Sequence, residues 1–149
     1  MEFRLAKPEE VENLVKISKA AFDTDIEVGA ISVGGPPDYD NLKWHLDMQK
    51  AGNLYIALHE GTIIGCALLF PDEKEKGVIY IGRIFVDPQY YRKGFGMSLM
   101  NAIEQLSPNL KIFRLETPVW NVRTNAFYPK CGYAEVFRDQ ESVYYQKEK

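Results

Sequence analysis

The stretch from Val86 to Gly96 constrains the fold of this chain more than any other. It reads VDPQYYRKGFG, and it lies between the apolar run IYIGRIFV and the amphipathic run MSLMNAIEQL. A proline and two glycines at such a junction predict a strand, a tight turn and then a helix. The N–H groups of such a turn can converge on an anion, and the helix N-terminus adds about half a positive charge. The stretch is therefore either a structural turn or a phosphate-binding loop.

Two other phosphate-binding motifs do not fit these residues. The P-loop pattern G-x-x-x-x-G-K-[ST] does not occur in the sequence. The dinucleotide fingerprint G-x-G-x-x-G would need a third glycine at position 99, where Leu99 stands. If the turn binds phosphate, it does so in another way, with Arg92 and Lys93 as additional cations.

The composition is that of an ordinary soluble globular protein, and residues 1–149 are expected to form a single domain. The net charge of −3 argues against a general nucleic-acid-binding function, which usually carries a basic surplus. No apolar run approaches the ~20 residues that span a bilayer, and MEFRLAKPEE does not resemble a secretory signal. We therefore expect a cytoplasmic protein without a membrane partner. Cys66 and Cys131 match no metal motif and are expected to be reduced, buried thiols.

The order of periodic segments predicts an α+β fold. Strand-like and helix-like runs follow one another as β-α-α-β-β-β-α-β-α-β-β, with helices predicted at about 39–51 and 96–106. The segment DTDIEVGAISVGGPPD, residues 23–38, is predicted to be a long loop with a short helical turn. This order indicates a mixed sheet flanked by helices.

Two motifs together resemble those of the GNAT superfamily of acetyl-CoA-dependent N-acetyltransferases. The first is the family's loop, in which a strand ends in V-x-P and [QR]-x-x-G-x-[GA] follows. Val86, Pro88, Gly94 and Gly96 match it here, with Tyr91 in place of Gln or Arg. The second, N-x-x-A-x-x-x-Y-x-x-x-G-[FY], is matched by NVRTNAFYPKCGY, with Thr124 in place of Ala. The resemblance implies a mostly antiparallel sheet whose central strands splay apart.

The same resemblance implies where acetyl-CoA binds. The amides of residues 91–96 would hold its pyrophosphate, and the strand at Ile84–Val86 would pair with its pantetheine arm. Asn121 would contact the arm, either in addition to or instead of capping a helix. The implied cofactor-binding residues are Phe85, Val86, Tyr91, Arg92, Lys93, Gly94, Phe95, Gly96, Asn121 and Tyr128. No metal is expected.

The catalytic groups implied by the resemblance are Tyr128 and a base. Tyr128 would donate a proton to the leaving thiolate, and an N–H near Phe85 or Val86 would stabilise the oxyanion. The alternative for Tyr128 is a packing role beside Phe127 and Tyr133. Many relatives carry a Glu on the strand before the loop, but VIYIGRIFV has none, and Tyr80 stands near that place. Glu116 on the neighbouring strand is the remaining candidate base, and the alternative is an exposed strand residue.

We therefore expect an N-acetyltransferase that acetylates a primary amine of a small molecule or peptide by direct transfer in a ternary complex. A non-catalytic acyl-CoA-binding sensor of the same fold stays open as the alternative, because the base is not evident. A nucleotide-binding module is a second alternative. A homodimer formed through the SVYYQK strand as a sheet edge is compatible with all of these. His45 is expected on the exposed face of its helix, and Asp87 is expected to cap the turn.

Overall fold

The computed structural model describes all 149 residues and contains seven strands and four α-helices. The strands are β1 (Glu2–Leu5), β2 (Leu54–His59), β3 (Thr62–Pro71), β4 (Val78–Val86), β5 (Ile112–Pro118), β6 (Ala134–Arg138) and β7 (Ser142–Glu148). The helices are α1 (Val11–Asp23), α2 (Leu42–Lys50), α3 (Phe95–Glu104) and α4 (Val122–Lys130). The predicted element order is confirmed.

Two predicted helix boundaries needed correction. The second helix begins at Leu42, because Asn41 has extended backbone angles and its Oδ1 accepts the N–H of Trp44 as an N-cap. The third helix ends at Glu104, so Leu106 lies beyond it and is exposed. The loop after α1 contains the expected helical turn, a 3₁₀ segment at Thr24–Val28.

All seven strands form one sheet in the order β1-β2-β3-β4-β5-β7-β6. Only β4 and β5 are parallel, and every other neighbouring pair is antiparallel. The helices cover both faces. Residues of α1 share one buried cluster with Ile56, Cys66 and Phe85, whereas residues of α3 and α4 share another with Ala57, Ala67 and Ile81. The predicted mixed sheet flanked by helices is confirmed.

The centre of the sheet is open at one end. β4 pairs with β5 only from Val78–Tyr80, opposite Ile112–Arg114, although β4 continues to pair with β3 as far as Val86. β5 likewise continues to pair with β7 as far as Pro118. The later parts of β4 and β5 therefore leave a gap between them, as the splayed arrangement requires.

A bulge lies where the two strands part. Arg83 pairs with Leu68 and Ile81 pairs with Leu69, so Gly82 is an extra residue in β4. A bulge bends the strand that carries it and increases its twist, which turns the rest of β4 away from β5. A Cβ at Gly82 would lie 2.6 Å from the ring of Phe70, so the bulge also needs a residue without a side chain.

The SVYYQK segment does not form a sheet edge, so that part of the dimer prediction was wrong. β7 lies between β5 and β6 and pairs with both. The edge strand on this side of the sheet is β6, and all five of its residues are exposed. β7 is internal because the chain returns to β5 after the β6 hairpin. None of the helices combines the length and hydrophobicity that a bilayer crossing demands.

Phe113 is fully buried in β5, the strand that anchors one side of the gap. We expect Phe113→Ala to lower the free energy of unfolding by about 3–5 kcal/mol, because it leaves a cavity in a closely packed core. The matched control is Phe137→Ala on β6, where the ring is 61% exposed and less than about 1 kcal/mol is expected. Urea denaturation measures both values, and equal losses would contradict this view of the core.

Candidate active site

The turn after β4 directs the chain into α3. Asp87 caps a 3₁₀ turn at Pro88–Tyr90, and its Oδ1 accepts the N–H of Gln89 at 3.0 Å, as expected. Arg92 and Gly94 then take positive φ values of 63° and 82°. These left-handed residues reverse the chain just before the first turn of the helix.

The N–H groups of this turn have no acceptor in the protein. None of the main-chain N–H groups of residues 92–97 donates a hydrogen bond to a main-chain or side-chain atom. The first intrahelical bond of α3 is made by Ser98, whose N–H donates to Gly94 O. Successive free N–H groups at a helix N-terminus are suited to an anion with several oxygens. The turn can therefore hold a phosphate or pyrophosphate.

The two glycines of the turn serve different purposes. Gly94 is required by its φ of 82°, and a Cβ there would meet nothing within 4 Å. Gly96 has no positive φ, but a Cβ there would lie 3.2 Å from the ring of Phe127. Gly96 therefore lets α3 approach α4, while the space beside Gly94 stays open to a ligand.

The edge of β4 that faces the gap carries free main-chain groups. The N–H of Asp87 donates to Ile64 O of β3, and successive peptide groups of a strand point to opposite edges. Phe85 therefore faces β3 through its main chain, whereas Ile84 and Val86 face the gap. The ring of Phe85 packs 5.8 Å from that of Phe22. Of the two predicted oxyanion donors, the geometry favours Val86.

Asn121 caps α4 and keeps a donor free. Its Oδ1 accepts the N–H of Thr124 at 3.0 Å, which satisfies the cap. Asn121 is only 4% exposed, and its Nδ2 has no partner in the protein. Capping and ligand contact are thus compatible, because they use different atoms of one amide.

Tyr128 is buried, yet its hydroxyl is not used by the protein. The ring packs against those of Phe127, Tyr133 and Tyr145, so the packing interpretation is correct for the ring. The hydroxyl makes no hydrogen bond and is not among the enclosed polar atoms. Burial, followed by the charges of nearby groups, raises the pKa of Tyr128. The phenol therefore stays protonated at neutral pH and can donate a hydrogen bond.

Glu116 lies on the face of the sheet opposite to Tyr128. It comes just after Arg114, the last residue of β5 that pairs with β4. Its Oε1 accepts a hydrogen bond of 2.9 Å from the hydroxyl of Tyr80. Tyr144 lies opposite Glu116 on β7, and burial and the charge of Glu116 raise its pKa. Burial and the bond to Glu116 raise the pKa of Tyr80 as well. Glu116 is thus an exposed carboxylate beside two protonated phenols.

Arg123 was not singled out from the sequence, but it connects Tyr91, at the start of the glycine turn, to the loop after α1. Its Nη1 donates to Thr24 Oγ1 at 3.0 Å and to the Tyr91 hydroxyl at 3.4 Å. Its guanidinium lies 5.0 Å from the centre of the Tyr91 ring. No local pattern could have indicated this contact, because the three residues are far apart in the sequence.

Several remaining predictions concern single side chains. Cys66 and Cys131 are free and buried, as expected, and burial raises the pKa of both thiols. Arg92 and Lys93 are exposed at the mouth of the turn, and Lys93 Nζ lies 5.6 Å from the Tyr90 ring. No group of three or more His, Cys, Asp or Glu side chains is arranged to hold a metal ion.

A family model described as the acetyltransferase (GNAT) family matches residues 18–133. The chain belongs to this family. The match confirms the predicted family, and it covers most of the chain, including both motifs and the strands around the gap. The predicted classification as an acetyl-CoA-using acyltransferase agrees with the family.

This GNAT chain is similar in sequence to one curated protein and in fold to several solved structures. An L-ornithine N5-acetyltransferase, NATA1, from Arabidopsis thaliana is 36% identical over 87 residues, which cover 55% of this chain and 38% of that protein. The PaiA N-acetyltransferase of Thermoplasma acidophilum, solved in complex with coenzyme A, has a TM-score of 0.79 at 18% identity. This likeness covers 99% of this chain and 98% of the PaiA chain.

Two further structures have the same fold. A GNAT-family acetyltransferase from Streptococcus agalactiae has a TM-score of 0.84 at 18% identity, over 99% of this chain and 95% of that one. A polyamine N-acetyltransferase from Drosophila melanogaster, which forms N-acetylagmatine, has a TM-score of 0.68 at 14% identity, over 99% of each chain. At these identities the likeness describes the fold alone.

Asp25, on the loop held by Arg123, is a half-buried carboxylate without a hydrogen-bond donor. Burial raises its pKa from 3.8 to about 6, although the charge of Arg123 lowers it. A raised pKa means that the ionised side chain disfavours the folded state. This penalty is absent below about pH 4, grows as the pH rises to about 6, and is complete above it.

We therefore expect Asp25→Asn to raise the melting temperature at about pH 7.5 and to leave it unchanged at about pH 3.5. Asp23→Asn is the matched control, because hydrogen bonds from Lys19 and Tyr39 lower the pKa of Asp23. That variant should instead lose stability at neutral pH. Thermal unfolding followed by circular dichroism gives both results, and a loss in Asp25→Asn at neutral pH would contradict the prediction.

Proposed function

We propose that this protein transfers the acetyl group of acetyl-CoA to a primary amine by direct transfer in a ternary complex. The observation that carries the proposal is the run of free N–H groups at residues 92–97, next to the gap between β4 and β5. The bound cosubstrate supplies an activated acyl group as a thioester. The free amides of residues 92–96 would hold its pyrophosphate, because the Tyr91 N–H of the predicted 91–96 run already donates to Pro88 O at 3.2 Å. The gap-facing edge of β4 and Asn121 Nδ2 would hold its amide-bearing arm.

In the proposed reaction, a C–N bond to the acceptor amine forms and the C–S bond breaks. The N–H of Val86 is oriented to donate to the acyl oxygen as negative charge develops on it. Tyr128 would donate a hydrogen bond to the departing sulfur. Full proton transfer from a phenol of reference pKa ~10 to a thiolate of ~8.5 already costs about 2 kcal/mol. Burial raises the pKa of Tyr128 and so increases that cost, which makes stabilisation by the hydrogen bond the main contribution.

The acceptor must lose a proton before it can attack. A lysine-like amine has a pKa of ~10.4, so forming the neutral amine at pH 7 costs roughly 4.6 kcal/mol. Glu116 would take this proton, directly or through water. The hydrogen bond from Tyr80 holds the Glu116 side chain at the edge of the gap. A carboxylate in this position supports a catalytic role over the alternative of a non-catalytic sensor.

We also infer that the whole chain acts as one domain in the cytoplasm. The participation of β1 and β7 in one sheet supports the single domain, and the free thiols of Cys66 and Cys131 are consistent with a reducing compartment. If the protein forms a homodimer, the exposed β6 edge is the strand available for pairing. The proposed acceptor is an amine of a small molecule or a peptide. NATA1, an L-ornithine N5-acetyltransferase, and the Drosophila polyamine N-acetyltransferase support the small-molecule amine.

The central experiment compares ligand binding with turnover. We expect coenzyme A to raise the melting temperature more than ATP or NAD does, and acetyl-CoA with an amine panel to release free thiol. Glu116→Gln should keep the thermal shift and lose most of the thiol release. The absence of any shift with coenzyme A would refute the proposal. A full shift without turnover on any amine would favour the sensor.

Tyr128→Phe tests the sulfur-side donor. We expect kcat to fall roughly a hundredfold, because one group that acts in the transition state is lost, while coenzyme A affinity changes little. Tyr133→Phe is the matched control, because it removes a buried hydroxyl that donates to Glu104 Oε2. That change should affect stability rather than kcat. Steady-state kinetics with calorimetric coenzyme A binding checks both, and an unchanged kcat in Tyr128→Phe would assign this ring to packing alone.

A further inference from the structure

Arg83 is a partly buried cation without a counter-ion. It lies on β4 directly after the bulge and alongside the gap, on the face of the sheet that carries α1 and α2. No carboxylate oxygen lies within 4.0 Å of its nitrogens. The charge of Asp38 acts on it from farther away, but that side chain is on an exposed residue. A partly buried charge without a partner is costly, so an anion that paired with Arg83 would be bound favourably.

Most of the hydrogen-bond donors of Arg83 are unused. The guanidinium carries five N–H bonds, and the structure gives it one acceptor, the main-chain oxygen of Pro37. Nη1 is enclosed and has no partner. Nε also has no partner, but it is not among the enclosed atoms and so retains access to open space. The fork of donors is thus partly open to a planar anion.

The surroundings hold this guanidinium in a fixed place. Trp44 of α2 packs against it, with the guanidinium carbon 4.4 Å from the ring centre. His45, expected on the exposed face of α2, is in fact fully buried beside Trp44, with ring centres 4.8 Å apart. The Nδ1–H of His45 donates to Asn41 O at 2.7 Å. Burial lowers the pKa of His45, so its ring is uncharged at neutral pH and does not compete with Arg83 for an anion. The tryptophan, the strand and the loop preorganise the cation.

Arg83 is also within reach of the proposed reaction centre. It precedes Val86 by three residues, which corresponds to about 10 Å along a strand. Tyr80, which donates to Glu116, lies on the same face of β4. Arg83 also contacts the loop of residues 23–38 through the main-chain oxygen of Pro37. An arginine side chain and an extended diamino acid together span the distance to the gap.

We propose that Arg83 binds the carboxylate of the acceptor, and that the acceptor is therefore a diamino acid rather than a bare diamine or polyamine. This inference rests on the proposed function and names its substrate class. A dicationic polyamine would place a second positive charge near Arg83, which disfavours binding. A diamino acid instead gives Arg83 an anion and leaves the side-chain amine for the gap. The fork geometry makes a bidentate contact through Nε and Nη2 the expected one.

The test uses acceptor pairs that differ only by the carboxylate, namely L-ornithine with putrescine and L-lysine with cadaverine. We expect kcat/KM to be at least roughly tenfold higher for the amino acid of the preferred pair. Arg83→Met should remove this preference by lowering kcat/KM for the amino acid, through KM, and leave the diamine unchanged or improved. Arg83→Lys keeps the charge but not the fork, and should retain part of the preference.

Lys43→Met is the matched control, because it removes one cation from α2 that is exposed and paired with Asp47. It should leave the preference unchanged. Melting temperatures and coenzyme A affinities of the Arg83 variants show whether each is folded. The proposal would be overturned if a folded Arg83→Met protein lost the same factor in kcat/KM on both acceptors of a pair. A wild-type protein with higher kcat/KM for the diamines would overturn it as well. The failure of every amine despite coenzyme A binding would instead refute the proposed function itself.

Discussion

The parting of β4 from β5 is the constraint on which the rest of the site depends. A parallel pair that stayed in register would satisfy the N–H groups of Ile84 and Val86 and leave no place for a ligand between the strands. The pairing ends at Tyr80, and the bulge at Gly82 follows directly. β3 and β7 hold the outer edges of the two strands, so the gap stays open without unfolding either strand.

The groups around the gap come from different elements and meet there for one reason. β4 and β5 run in the same direction, so the segments that follow them, the phosphate-binding turn and α4, begin at the same end of the sheet. The free N–H groups of residues 92–97, the cap Asn121 and the hydroxyl of Tyr128 are thereby brought to one side of the gap. Tyr80, Arg83 and Glu116 reach it from the other face, where no helix covers β5. In the proposed reaction, the cosubstrate would enter the gap from the side of the turn and α4, and the acceptor would enter it from the opposite face.

Polar groups without protein partners mark both approaches. Most buried donors in a folded protein are satisfied internally, so an unsatisfied one needs a reason. On the side of the turn, Asn121 Nδ2 and the Tyr128 hydroxyl belong to buried residues and lack protein partners. The N–H groups of the turn lack them too, although most of its residues are exposed. Arg83 lacks most of its acceptors on the other side. The donors that lack protein partners therefore lie where the proposed acetyl transfer requires hydrogen bonds to the cosubstrate and the acceptor.

The sequence by itself determined the element order, the glycine turn, the cap at Asn121 and the family, because each depends on local spacing that an amino-acid string displays directly. Only the tertiary structure decided that Val86 rather than Phe85 faces the gap, since that depends on which edge of β4 pairs with β3. It also showed that His45 is buried and that β7 lies inside the sheet. The contacts of Arg123 with Tyr91 and of Tyr80 with Glu116 likewise appear only in the folded chain. These contacts join residues that are far apart in the chain, so the local periodicity of the sequence does not predict them. Arg83 belongs to the same class, because its missing counter-ion is visible only once every neighbour is in place.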